Sequence, residues 1–282
     1  ESQRGRFAVR RSLASLGYQE TINFSFVDEQ WERDLSGNSD PIRLLNPIAS
    51  QMNVMRSSLV GSLLQVLRFN LDRKADRVRV FELGRVFQRD ATVQQTESTV
   101  AGIRQPLHVG GLAYGSNARL QWGLRDQAVD FFDVKGDLEA LLSPQMAEFR
   151  PSTHPAMHPG RCASVHLDGQ AVGHIGELHP QWRQAYGLQM APVLFELTLD
   201  AVMGHPLPAS QGISRFQAVE RDIAVIVQES VSHDQVLKVA REAAAAMALV
   251  RQAVVFDVYR PKQAAAGLQD GEKSLALRIT LN

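Results

Sequence analysis

The stretch Arg221–Arg260, RDIAVIVQESVSHDQVLKVAREAAAAMALVRQAVVFDVYR, decides the fold class. RDIAVIV is a run of β-branched residues with strand character. SHDQVLKVAREAAAAMA is built from strong helix formers and opens on Ser232 and Gln235, the S-x-x-Q spacing of a capping box. AVVFDVY returns to strand, and KSLALRITL near the C-terminus adds another. The order is therefore β-α-β-β. A split-βαβ, ferredoxin-like domain needs one more helix and strand, so the chain reads as stopping mid-domain at Asn282, an incomplete domain over 215–282.

Upstream, residues 204–214 (GHPLPASQGIS) carry two prolines, two glycines and small polar residues, the composition of a linker. Before it, residues 1–203 mix helices and strands without strict βαβ alternation, which predicts α+β with an antiparallel sheet. Residues 4–16 space Phe7, Val9, Leu13 and Leu16 as a helix, stopped by Gly17. TINFSFV (21–27) alternates as a strand. Beyond Ser57 and Ser58, Val60, Leu63, Leu64, Leu67 and Leu71 form a second helical stripe. Either helix can face a partner or an intrachain core. RVRVFELGRVFQRD (77–90) reads as one or two strands, 91–106 as a loop, HVGGLAYG as a strand and DFFDVKGDLEALL (130–142) as a helix. The short helix PQWRQAYGL and the strand VLFELTL close the module.

Composition narrows the function classes. At 282 residues there is length for two domains. No apolar run approaches the roughly 20 residues of a membrane span, and the N-terminus lacks a signal-peptide core. A single cysteine fits a reducing, cytoplasmic setting. Thirty basic residues balance thirty acidic ones, so any RNA partner must be recognised by a local surface.

Residues 153–180 hold five of the eight histidines and Cys162, which raises a metal-dependent hydrolase built on His154–His179 as one reading. His154, His158, His179 and His205 each precede proline, which pushes them out of helical conformation and away from an HExxH arrangement. Asp168-Gly169 is a two-residue hairpin signal. That loop sets Leu167 opposite Gln170 and Ala163 opposite His174, with His166 and His174 on opposite faces. Cys162, alone in a strand, reads as a small core residue rather than a nucleophile.

The order of segments resembles the C-terminal half of bacterial phenylalanyl-tRNA synthetase β subunits. The carrying residues are LGYQETINFSFV (16–27), LLNPIASQMNVMRSSLVGSLL (44–64), RVFELGRVFQRD (79–90), DFFDVKGDLEALL (130–142), HPGRCASV (158–165), VGHIGELHP (172–180), RFQAVERDIAVIV (215–227) and FDVYRPKQ (256–263). The resemblance implies a catalytically inactive, class II synthetase-like module over 1–203, an antiparallel sheet with flanking helices, then an anticodon-binding ferredoxin-like domain. It implies a catalytic α subunit as partner in an (αβ)2 assembly, tRNA(Phe) as the bound RNA, and ATP with Mg2+ used elsewhere in the holoenzyme. No catalytic, cofactor-binding or metal-ligating residue is expected in this stretch. GRVFQRD is similar to the first half of the class II ATP motif, which would make Arg85 or Arg89 a ligand. The acidic and aromatic second half is missing from 91–106, and GGLAYGSNAR (110–119) lacks the alternating glycines.

For RNA, the candidates are Arg221, Tyr259, Arg260, Lys262 and Arg278, an aromatic and cations on an open sheet face. Strict alternation sets Phe256 and Val258 against Asp257 and Tyr259. Residues 205–282 carry nine basic and eight acidic residues, so this expectation rests on the resemblance rather than on charge. A free-standing RNA-binding protein is the remaining alternative.

Overall fold

A computed structural model of the chain describes residues 5–204, 215, 217–247, 250–260, 268–269 and 271–281. It divides into two compact units, Glu1–Leu207 and Pro208–Asn282. Apart from Gly204, the linker expected at 204–214 lies outside the described residues.

In chain order the first unit contains α1 (Arg6–Ser15), β1 (Gln19–Glu20), β2 (Phe26–Val27), α2 (Glu29–Leu35), β3 (Val54–Met55) and α3 (Val60–Leu71). Then come β4 (Val78–Arg85), β5 (Gln88–Arg89), β6 (Ile103–Arg104), β7 (Leu107–Tyr114) and α4 (Phe131–Leu142). β8 (Glu148–Pro151), β9 (Met157–Leu167), β10 (Gln170–Leu178), α5 (Pro180–Ala185), β11 (Val193–Thr198) and α6 (Leu199–Met203) complete it. Seven strands form one sheet in the order β1-β4-β7-β11-β10-β9-β8. All its neighbours are antiparallel except the β1–β4 pair at one edge. The α+β, antiparallel expectation therefore holds.

Alternating side chains give the sheet two buried faces. One packs Phe81, Val109, Phe195 and Ile175 against Val9 and Leu13 of α1, Val134 and Leu138 of α4, and α6. The other packs Val80, Leu112 and Leu194 against Leu63, Leu64 and Leu67 of α3. The stripes of α1 and α3 thus build the intrachain core, while Phe7 and Phe69 stay exposed. α4 begins with a complete capping box: Asp130 accepts from the N–H groups of Phe132 and Asp133, and Asp133 accepts from the N–H of Asp130.

Only the end of the strand expected at 21–27 forms, as β2. Asn23 donates to Glu82 and Thr21, and the Phe24 carbonyl accepts from Arg56. These contacts draw the chain out of the main sheet toward β3 and leave Ile22 and Phe24 exposed.

The second unit contains β12 (Val219–Gln228), α7 (His233–Met247), β13 (Val250–Tyr259) and β14 (Glu272–Leu281). Its antiparallel sheet runs β12-β14-β13. The capping box is present: Gln235 N donates to Ser232 Oγ at 3.2 Å, and Ser232 N donates to Gln235 Oε1 at 2.7 Å. Leu237, Leu275 and Leu277 are its buried apolar residues.

Candidate functional site

Two surfaces gather the chemistry expected from the sequence, one in each unit. In the first unit, a cavity of about 720 Å3 opens on the α3 side of the main sheet. His108, His154, His174, Glu196, Arg89 and Arg104 line it. Glu196 of β11 accepts from Ser58 Oγ at 2.5 Å and from Leu59 N at 3.1 Å, and meets His108 Nδ1 at 2.6 Å. Burial pushes the Glu196 carboxyl up, but the hydrogen bond and charge of His108, with Ser58 and Leu59, hold it below the usual carboxylate range. The cavity thus faces a carboxylate kept ionised.

The histidines serve the fold locally. Nδ1 of His154 accepts from Ala156 N at 3.2 Å, that of His158 from Gly160 N at 2.9 Å, and that of His179 from Gln181 N at 3.1 Å. Each of these three His-Pro pairs therefore caps the N–H two residues on, His179 begins α5, and His205 lies outside the described residues. Burial, with the neighbouring His174, pulls the His154 pKa down to about 4. Burial likewise lowers that of His174.

The expected parity of His166 and His174 is overturned. A β-bulge between Ala171 and Gly173 shifts the register, so His174 lies opposite Ser164 and Ala163 lies opposite Ile175. Ser164 also shares a face with His166, which meets its Oγ at 2.9 Å. The two histidines are thus on one face, because one extra residue reverses every side chain beyond it. Leu167 does oppose Gln170, as the Asp-Gly turn predicts. Even so, no three His, Cys, Asp or Glu residues group as metal ligands among the described residues. Cys162 is buried 3.6 Å from Met157 Sδ, and burial raises its thiol pKa, away from the reactive thiolate.

Arg85 and Arg89, weighed for a nucleotide, and Arg104 of the cavity have other partners. Arg85 donates to the Gln105 carbonyl, Arg89 pairs with Asp40 at 2.9 Å, and Arg104 donates to Gln88 at 2.6 Å.

In the second unit, pairing register assigns the faces. Asp222 and Val254 lie opposite Arg278, Asp257 opposite Ala276, and Tyr259 opposite Ser274, so these residues share the face turned away from Leu275 and Leu277. A bulge between Val255 and Asp257 breaks the alternation of β13. Phe256, expected opposite Asp257 and Tyr259, instead lies under the Arg278 guanidinium, 5.0 Å from ring centroid to carbon. Asp222 clasps Arg278 through two contacts of 2.9 Å, which raises the arginine's pKa and lowers the aspartate's. Phe256 beneath it is half-exposed, as are Tyr259 and Ile226, which lie opposite Ser274 further along the same face.

Of the five RNA candidates, Tyr259 and Arg278 are brought together on this face. Arg221 pairs with Ile279 and so belongs to the opposite face. Arg260 follows the end of β13 and is held two-pronged by Glu229. Lys262 lies outside the described residues. Phe256 was missed because periodicity gives no signal for a bulge.

An antiparallel-dominated sheet covered on both faces by helices, followed by a ferredoxin-fold anticodon binding domain, marks the chain as built like a tRNA synthetase subunit. The family model described as phenylalanyl tRNA synthetase beta chain CLM domain matches residues 1–199, and that of the ferredoxin-fold anticodon binding domain matches 214–282. The chain belongs to the phenylalanyl-tRNA synthetase β chain family. Phenylalanine–tRNA ligase beta subunits of Cupriavidus pinatubonensis and Ralstonia nicotianae are each 53% identical over all of this chain and 35% of their own length. That of Chromobacterium violaceum is 50% identical over all of this chain and 34% of its own. The chain therefore spans about a third of the length of these relatives. Among solved structures, a pyrrolysyl tRNA synthetase of Desulfitobacterium hafniense, 11% identical, covers 71% of this chain and 66% of its own at a TM-score of 0.48.

Proposed function

We propose that this chain is the non-catalytic β-subunit part of a phenylalanine–tRNA ligase. Residues 1–203 scaffold a catalytic α subunit within an (αβ)2 enzyme, and residues 215–282 contact the anticodon region of tRNA(Phe). The whole enzyme, working in the cytoplasm, attaches phenylalanine to its tRNA with ATP and Mg2+ supplied outside this stretch. The observation that carries the reading is the 53% match of all of this chain to about a third of ligase beta subunits, with an anticodon-binding family over 214–282.

Chemistry supports both contacts. On the second unit's sheet, Phe256 under the Arg278 guanidinium and Tyr259 further along the same face offer half-exposed rings for base stacking. On the first unit, Ile22, Phe24, Leu45 and Ile48 flank the β2–β3 pair as exposed apolar side chains. A partner chain removes such residues from water.

Co-expression with a bacterial α subunit of the same enzyme tests the scaffold. The expected result is a complex on size exclusion that Phe24→Asp and Leu45→Asp weaken. Failure of the full-length β subunit to co-elute with α would overturn the reading. For RNA, Tyr259→Ala and Arg278→Ala should each weaken tRNA(Phe) binding about tenfold, the loss of one stacked base or one charged partner. Binding unchanged in both would move the interface elsewhere.

A further inference from the structure

A second cavity in the first unit, of about 630 Å3, lies at the end of β4 and β7 where the loop SNARLQWGLRDQA (116–128) leaves the sheet. Arg77, Arg79 and Arg119 line it, together with Asp76, Asp126 and Leu120. The Arg79 side chain is only 7% exposed; its Nη1 donates to Asp137 at 2.7 Å, and its Nε–H is buried without a partner. Buried N–H groups are rarely left so, and each one needs an explanation.

The other two arginines are short of anions. Among the described residues, Arg77 donates only to main-chain carbonyls, of Ser116 at 3.0 Å and Asn117 at 3.3 Å. Arg119 pairs with no carboxylate among the described residues. Asp137 is already shared between Arg79 and the Tyr18 hydroxyl, and Asp126 accepts from Ser116 Oγ at 2.6 Å. That leaves Asp76 facing two unneutralised guanidiniums. Burial and then the charges of Arg79 and Arg119 lower the Arg77 pKa, the mark of cations crowded together.

The loop that lines the cavity through Arg119 and Leu120 also carries Trp122, fully exposed and three residues from both Arg119 and Arg125 in the chain, while Leu120 is 93% exposed. An indole open to water is a stacking platform for a base, and a guanidinium cluster matches the oxygens of a phosphate. The volume fits a small ligand's site.

We propose that this cavity and its loop form a nucleotide seat: the arginines take a phosphate group and Trp122 stacks a base. The phosphate belongs to an RNA backbone or to a free nucleotide. The seat is in the first unit and does not depend on the second unit's sheet face.

Trp122 itself reports the test. It is one of three tryptophans, so the part of the fluorescence that disappears in Trp122→Phe belongs to it. The probes are AMP and a single-stranded twelve-residue oligouridylate, titrated into the whole chain at low salt. The expected result is saturable quenching of the Trp122 component, with a midpoint at least tenfold weaker in Arg119→Ala. A free-nucleotide site quenches with AMP as readily as with RNA. A backbone site favours the oligonucleotide, and its salt dependence becomes shallower in Arg119→Ala by about 0.7 for each phosphate no longer neutralised. No quenching by either probe up to millimolar concentration, or an unchanged midpoint in Arg119→Ala, overturns the proposal. So does loss of iodide access to Trp122 on adding an α subunit while both probes leave it untouched, which would make the loop a protein interface.

Discussion

Replacing Arg56 with methionine should unfold the first unit more readily than any surface change. Arg56 is 2% exposed and sits among the largest fully buried side chains. Its Nη2 donates to Glu82 Oε1 at 2.7 Å, its Nε to the Arg85 carbonyl at 3.1 Å, and its Nη1 to Ser62 Oγ at 3.4 Å and the Phe24 carbonyl at 3.5 Å. Glu82, itself 3% exposed, has beyond this only Asn23, whose Nδ2 donates at 2.7 Å. Gly84 leaves the guanidinium its space, since a Cβ there would collide with it. Methionine keeps much of the stem and deletes the charge, so Glu82 remains as a buried carboxylate without its counter-ion. Removing one partner of such a pair costs about 3–5 kcal/mol, whereas replacing both with neutral groups is often close to neutral.

The order of stability should therefore be wild type, then Arg56→Met/Glu82→Gln, then Arg56→Met, with a coupling of about 2 kcal/mol between the two sites. All three tryptophans, Trp31, Trp122 and Trp182, lie in the first unit, so tryptophan fluorescence in urea follows that unit alone. At a slope of about 2 kcal/mol per molar urea, the single substitution moves the midpoint down by about 2 M. A shift below about 0.5 M, or additive single changes in the cycle, would refute the reasoning that an uncompensated Glu82 is what hurts.

Three further outcomes follow from local geometry. His154 is held neutral, with a pKa lowered from 6.5 to about 4, so the unfolded chain takes up the proton first as pH falls. Its contribution is complete above about pH 6.5 and disappears toward pH 4, with a ceiling of about 3 kcal/mol. His174 acts in the same direction, and His154→Asn, which keeps an acceptor for Ala156 N–H, should flatten the urea midpoint between pH 7 and 5; an unchanged slope assigns the effect elsewhere. Gly111→Ala drives a methyl into the Phe195 ring and should lower the melting temperature through about 1–3 kcal/mol of overpacking. Asp130→Ala removes the acceptor of two N–H groups at the start of α4 and should cost about 1 kcal/mol by the same urea assay, with no change counting against the cap.

What the sequence disclosed was whatever is written in local chemistry. The Ser232–Gln235 box, the Asp168-Gly169 turn and the stripes of α1, α3 and α4 all appear where spacing places them. Face assignments failed at two of the bulges, near Val172 in β10 and at Phe256 in β13. A bulge is a compromise between neighbouring strands, so the strand's own alternation carries no trace of it. The stretch at 21–25 failed for a related reason: its strand pattern is real, but Glu82 and Arg56, distant in sequence, claim its polar groups. Nor does anything around Arg56 in the chain mark it as buried, because its partners come from 24, 62, 82 and 85.

The same distinction orders the two cavities of the first unit as places for an anion. On the sheet face, Arg89 is paired with Asp40, Arg104 donates to Gln88, and Glu196 is kept ionised by His108, Ser58 and Leu59. A phosphate arriving there must displace those partners while facing a buried carboxylate, and repulsion between like charges strengthens as water is excluded. At the sheet's end, among the described residues, Arg77 holds only carbonyls and Arg119 holds no carboxylate. An anion entering there finds donors waiting and displaces no carboxylate. The cavity beside Arg89, in the segment similar to half of the ATP motif, is thus the less receptive of the two. The loop at 116–128 stands over the more receptive one, although its sequence showed only that it lacks the motif's glycines.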